Sequence, residues 1–291
     1  MISFIICSID PDKALALQEN IGATVGCAHE CIVIDNRQAP QGLAHVYNEG
    51  ARRAQGEVLC FVHEDVRFLT KDFGPAVSEQ ALKADTGVIG YLGTLYKAAA
   101  PSGWFVHTDL SVKHYIQSGH RGRERCVTSN LNASGFTPVV AVDGCCMMVS
   151  RAAWAACPFD ERVITGFHGY DVDFCLSMQQ AGRTNYVCSQ SMIEHMSYGA
   201  YSLAWVQTTL TLHREKWKGA LPILAAGCAL TTEQRAGYER FIWYDFLKKC
   251  VKTKMPVAQV ARLMQEARAQ GLSRAKLFKL CYKMAYYRLL R

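Results

Sequence analysis

The chain has 291 residues, half of them hydrophobic, and a formal net charge of +7. That length suits one large domain, or one domain with an appendage, and the composition excludes a disordered or low-complexity chain. The charge is uneven: residues 231–291 carry seven Lys and seven Arg against Glu233, Glu239, Asp245 and Glu266, a local +10 that leaves −3 for the rest.

In chain order, residues 2–7 (ISFIIC) read as a short buried strand. The start lacks a basic region before its apolar run, so no signal peptide is expected, and no window reaches 18 uncharged apolar residues. A helical pattern opens at Pro11-Asp12 and runs to about Asn20. Residues 31–34 (CIVI) form a second strand ending at Asp35-Asn36. A helix follows over 41–54, then a third strand over 58–62. Strand–helix–strand–helix–strand with short links predicts an α/β, mostly parallel sheet. Ligands bind such sheets outside the carboxyl ends of the strands. That puts Ser8, Asp10, Asp35, His63, Glu64 and Asp65 on one rim.

A helix over 72–83 and a strand over 87–92 come next. Residues 93–137 are irregular, with Trp104 and a basic patch at 120–125, and read as a loop-rich insertion over the rim. A strand over 139–149 is interrupted by Asp143-Gly144. Then come a short helix from Ser150, the loop GFHGYD, a helix from Asp171 to Ala181, and short strands over 186–188 and 192–195. A helical pattern covers 201–218, residues 222–230 read as a linker, and the remainder is helical and basic.

The thirteen cysteines are scattered, with no CxxC pair, as expected of a reducing, cytoplasmic setting. Cys27, His29 and Cys31 fit no zinc spacing.

Acidic or imidazole side chains thus stand at four strand ends, Asp35, Asp65, Asp143 and His195, while Asp171 and Asp173 open a helix behind a glycine-rich loop. Such acids are often mere helix caps, but caps do not explain the grouping. The pieces ISFIICSID, CIVIDN, YNEGARRAQGEVLCFVHEDV, VAVDGCCMMVSRAAW, FDERVITGFHGYDVDFCLSMQQAG and MIEHMSYG run from residue 2 to about 199. In type and order this resembles a family 2 glycosyltransferase of the GT-A fold: a Rossmann-like, mostly parallel central sheet flanked by helices. The resemblance implies a nucleotide-sugar-binding and catalytic domain over 1–218, with 219–291 as a basic helical extension.

That resemblance implies Ser8, Asp10 and Asp35 at the ribose or base and Asn48 in support, with Glu64 in the same nucleotide-binding set. Asp65 matches the last acid of the family's Asp-x-Asp metal motif, and His195 its distal metal ligand. His63 stands where the family has its first Asp. Imidazole suits Mn²⁺ better than Mg²⁺, so the divalent cation is expected to be Mn²⁺, with His63 a ligand, a supporting group or a sugar contact. The family's base lies in an acidic pair. Tyr170 replaces the first acid and Asp171 matches the second, so Asp171 is expected to be the base, with Asp173 the alternative or an orienting group. Asp143 borders donor sugar and acceptor, Trp104 offers a stacking platform, and Trp154 reads as core. A cation compensates the leaving diphosphate and a carboxylate takes the acceptor's proton. Direct attack predicts inversion.

The expected donor is a UDP- or dTDP-sugar rather than a GDP-sugar, and the acceptor a glycan or lipid-linked sugar in surface polysaccharide or lipopolysaccharide synthesis. In the tail, Phe241 to Lys249 is aromatic and basic, and Leu277, Leu280, Cys281, Met284, Tyr286 and Tyr287 interleave with Lys276, Lys279, Lys283 and Arg288. This fits either an anionic membrane surface or a helical subdomain packed on the body. No nucleic-acid motif accompanies the charge. Two other functions compete. A sugar-phosphate nucleotidyltransferase would want a Gly-rich basic loop, which SIDPDKA lacks; a degenerate scaffold draws support only from His63 and Tyr170.

Overall fold

The computed structural model describes residues 1–118, 125–197 and 199–289, with backbone alone at 287–289. Residues 120–124 of the basic patch, Tyr198 and the side chains of Tyr287 and Arg288 lie outside the described residues.

Strand β1 (Ile2–Ser8) turns Ile2, Phe4 and Ile6 to one side and Ile5 and Cys7 to the other, into two separate cores. A strand covered on both faces is apolar throughout, which is why it was legible as a run. Helix α1 (Pro11–Thr24) starts where the Asp10 side chain accepts the Lys13 N–H and proline fills the first turn. Then follow β2 (His29–Asp35), α2 (Leu43–Arg53), β3 (Val58–His63), β4 (Val66–Phe68), α3 (Gly74–Ala81) and β5 (Thr86–Gly90). β1 pairs in parallel with both β2 and β3, so their carboxyl ends share one rim.

Residues 93–137 depart from the loop-rich expectation. They carry most of β6 (Leu92–Thr94), then β7 (Tyr96–Lys97), β8 (Ser111–Gln117), β9 (Arg125–Ser129) and the start of β10 (Phe136–Val139). The expected strand over 139–149 is cut into the end of β10, β11 (Ala141–Val142) and β12 (Cys146–Ser150), with Asp143-Gly144 between the last two. Next come α4 (Arg151–Ala156), α5 (Tyr170–Gln180), β13 (Thr184–Cys188) and β14 (Ile193–His195). Seven strands form the main sheet in the order β10-β13-β5-β12-β3-β1-β2; only β12 and β10 oppose the common direction. A second sheet, β11-β6-β8-β14-β4 with β9 on β8, covers the rim.

Helix α6 (Leu203–Thr211) does not run to 218 as one α-helix; it widens into a π turn over Leu212–Lys216. The linker contains β15 (Ile223–Leu224), which pairs with β7. The extension is α7 (Thr232–Lys252), α8 (Val257–Ala269) and α9 (Arg274–Leu289). Its apolar face shares a core with Tyr96, Ala98, Val106 and Leu110 from the segment after β6. Glu239 of α7 fastens that segment, accepting the Tyr96 hydroxyl at 2.5 Å and the Ala99 and Ala100 N–H groups at 2.9 and 2.8 Å. Among the described residues no helix is long and apolar enough to cross a membrane.

Candidate active site

β3 leaves the sheet at His63, and Glu64-Asp65 make the turn into β4. β14 pairs antiparallel with β4 in a register that sets His195 opposite Val66. Strand pairing, not chain proximity, therefore brings His195 to Asp65. The ligating atoms of His63, Asp65 and His195 all lie within 4.8 Å of one another. His195 Nε2 stands 3.6 Å from Asp65 Oδ1, beyond a hydrogen bond, and Oδ1 is buried with no hydrogen-bond partner. A buried carboxylate oxygen without a donor is costly unless something completes it. Burial opposes the Asp65 charge, yet His195, Ser197 and His63 hold its carboxyl below the usual range. Burial likewise opposes the His195 charge, but Asp65 and Asp143 raise its pKa. Burial leads in lowering that of His63. One carboxylate and two imidazoles form a donor set able to hold a divalent cation.

Behind the cluster stands Tyr170. Its hydroxyl lies 2.7 Å from His63 Nε2 and donates to the Gly144 carbonyl at 3.2 Å. A Cβ at position 144 would collide with the Tyr170 hydroxyl, so glycine is required there. Gly169, at φ 82°, turns the loop into α5 through a left-handed conformation that glycine adopts freely.

Asp171 follows in the first turn of α5. Burial, then the charge of Asp143, pushes its carboxyl up to about 7, while the N–H groups of Val172 and Gly144 pull the other way. Asp143 Oδ1 accepts the Cys145 N–H at 2.8 Å. His63, His195, Asp143 and Asp171 line one cleft of about 550 Å³. Its other wall is aromatic: Trp104, Phe105, Phe167, Tyr201 and Trp205.

Asp173 points elsewhere. Two residues apart on a helix, Asp171 and Asp173 cannot share a face. Asp173 is buried and accepts Lys216 Nζ at 2.8 Å and Trp217 Nε1 at 2.9 Å, and Asp160 also holds Lys216 at 2.8 Å. Burial raises its pKa despite Lys216 and Trp217. Asn48 is also occupied: its amide donates to the Phe159 carbonyl and Glu161, and accepts from Trp154 Nε1 and Phe159 N–H. It borders a separate cleft with Arg52, Phe159 and Lys216. Trp154 packs against the core.

The remaining rim residues follow the carboxyl edge. Glu64 Oε2 accepts the N–H groups of Ile9 and Asp10, both at 3.1 Å, clipping β3 to the end of β1. Asp10 pairs with Lys13 at 3.2 Å. Ser8 is buried, and its carbonyl accepts the Asn36 N–H. Asp35 is exposed, and the two-pronged Arg37 contact holds its carboxyl at about 2. The structure thus gathers His63, Asp65, His195, Asp143, Asp171 and Trp104, and leaves Asn48 and Asp173 apart. Sequence reasoning missed Tyr170 as the support of His63 and Lys216 as the partner of Asp173.

A family model described as "Glycosyltransferase like family" matches residues 3–209. The chain belongs to that family. Two solved structures place this glycosyltransferase in the GT-A fold. GalNAc-T7 with UDP, GalNAc and Mn²⁺ is 11% identical with a TM-score of 0.52, over 92% of this chain and 54% of the other. The mannosyltransferase PcManGT from Pyrobaculum calidifontis, in complex with GDP-Man and Mn²⁺, is 12% identical with a TM-score of 0.50, over 98% and 84%. The glycosyltransferase therefore spans about half the length of the GalNAc-T7 chain, and at these identities the likeness is one of fold. No curated protein matches it in sequence.

Proposed function

We propose that the protein is an inverting, metal-dependent transferase that moves a sugar from a nucleoside-diphosphate donor to a glycan or lipid-linked acceptor. Residues 1–218 would form the catalytic domain and 219–291 its basic extension. The observation that carries this is the cleft that Asp171 shares with His63 and His195, the two imidazoles whose ligating atoms lie within 4.8 Å of that of Asp65.

His63, Asp65 and His195 would hold the divalent cation. When bound, it supplies positive charge against the donor's two phosphates as the glycosidic bond breaks. Tyr170 holds the His63 ring from behind, which keeps its orientation. Glu64 fastens the metal turn to the loop after β1, where Ser8, Asp10 and Asp35 would meet the nucleoside. Asp171, in its ionised form, accepts the proton of the acceptor hydroxyl. The freed oxygen bonds to the anomeric carbon as the diphosphate oxygen leaves from the opposite side, so the anomeric configuration inverts. A carboxyl poised at about 7 is matched to that task near neutral pH. The aromatic wall of Trp104, Phe167 and Tyr201 suits the apolar face of a sugar ring. The two similar structures hold UDP and GDP-Man, both with Mn²⁺. They support a metal-bound nucleotide sugar and leave the base to this chain's own residues, for which we favour uridine or thymidine.

Titration calorimetry of UDP, dTDP and GDP into the protein, with and without Mn²⁺ and again with Asp65→Ala, tests this. We expect binding that requires both Mn²⁺ and Asp65. A wild-type protein that binds none of the three with any divalent cation overturns the donor site.

A further inference from the structure

Of the apolar and aromatic positions that the sequence of α9 interleaves with its cations, Leu277, Leu280 and Met284 make one stripe, while Cys281 is exposed. In the structure that stripe faces inward, with Leu280 fully buried and Leu277 and Met284 packed on the shared core. A second stripe faces out. Phe278 is 76% exposed, Tyr282 69%, and Tyr286 continues the line at 49%. Spaced four apart, they lie along one side of the helix. With Lys279 and Lys283 they border an open, largely apolar groove of about 400 Å³.

Large exposed aromatics in a row mark an interaction surface. The charge around them says what kind. The sequence of α9 contains Arg274, Lys276, Lys279, Lys283 and Arg288 and no acid. Outside the groove, Lys276 lies 5.3 Å and Lys248 5.5 Å from the Tyr244 ring of α7, which adds to the positive charge of this part of the extension. A second copy of the chain would set one all-cationic helix against another. An anionic bilayer offers what both features need: headgroup charge for the lysines, and an interfacial layer for Phe and Tyr rings.

We infer that α9 docks this protein on an anionic membrane surface, with Phe278 and Tyr282 entering the interface and Lys279 and Lys283 meeting phosphate headgroups. This goes beyond the transferase reaction and does not depend on which donor the cleft takes.

The test is flotation of the full chain with phosphatidylcholine vesicles, pure or with 30% phosphatidylglycerol as probe, at low and high salt. Wild type is expected to float with the anionic vesicles at low salt and to be released by high salt. Lys279→Glu with Lys283→Glu, and separately Phe278→Ser with Tyr282→Ser, should each weaken partition by at least about tenfold. Folding is checked by thermal melts, and Mn²⁺-dependent nucleotide binding, read without vesicles, should not change. Wild type that stays unbound at low salt overturns the inference, as does unweakened flotation of either double variant. Two other outcomes also overturn it: binding to an RNA oligonucleotide or heparin without vesicle binding, and a dimer dissolved by Phe278→Ser with Tyr282→Ser.

Discussion

Asp171→Asn separates the stability of the protein from its chemistry. The Asp171 carboxyl titrates at about 7 in the folded chain against 3.8 for an ordinary aspartate, first because of burial and then because of Asp143. Between those values the folded state holds a proton that the unfolded chain has lost. Stability therefore falls as pH rises from about 4 to about 7, and then levels. A gap of about three units corresponds to at most about 4 kcal/mol. Water in the open cleft discounts this, so we expect about 2 kcal/mol. Asparagine mimics the protonated acid and does not titrate. In metal-free protein, Asp171→Asn should raise the melting temperature at pH 8, do so less at pH 5, and leave it unchanged near pH 4. Transferase activity should fall by roughly 10²–10⁴ with loss of the general base. In wild type, the acid limb of kcat/KM should show a single ionisation at or below about 7. Equal melting shifts at pH 4 and pH 8 would refute the electrostatic reasoning. Full activity in Asp171→Asn would refute the assignment of the base.

Three further outcomes can be measured directly. Tyr170→Phe removes the hydroxyl behind His63, and loss of such a supporting group should weaken Mn²⁺ binding by about 10–100-fold with the fold intact, read by calorimetry. Gly144→Ala puts a methyl into the Tyr170 hydroxyl, so activity should fall sharply and Mn²⁺-dependent nucleotide binding should weaken as in Tyr170→Phe. Lys216→Met strands the buried Asp173 charge; removal of one partner of a buried pair should cost about 3–5 kcal/mol by denaturant melts, and Asp173→Asn in the same protein should restore part of it.

The elements that the sequence displays are those buried on both faces. β1 and β3 are continuous apolar runs, and their ends announce the rim. The second sheet declares itself only in part: 192–195 reads as a strand and is β14, whereas β8 and β9 fall in the segment that reads as loop-rich. β9 reads RCVTS with no buried residue, and β7 is two residues long. What makes such pieces strands is pairing with other segments, as β7 pairs with β15 across more than a hundred residues. The site follows the same division. Residue types and order single out His63, Asp65, His195 and Asp171, whereas the Tyr170–His63 contact depends on how α5 meets β3. One distinction was available earlier: positions two apart on a helix diverge, which already separates Asp171 from Asp173. The partner waiting for Asp173, Lys216, lies on a π turn that no local pattern reveals.

The hold of Glu239 on Tyr96, Ala99 and Ala100 bears on how this protein can be cut and recombined. The segment it fastens leads within a few residues to Trp104 and the aromatic wall of the cleft. A chimera that exchanged only the C-terminal helices would leave three polar groups in that segment without their acceptor. The natural unit of exchange is therefore discontinuous in the chain, the helices after residue 231 together with residues 96–110, and acceptor preference should travel with that pair of pieces rather than with either one.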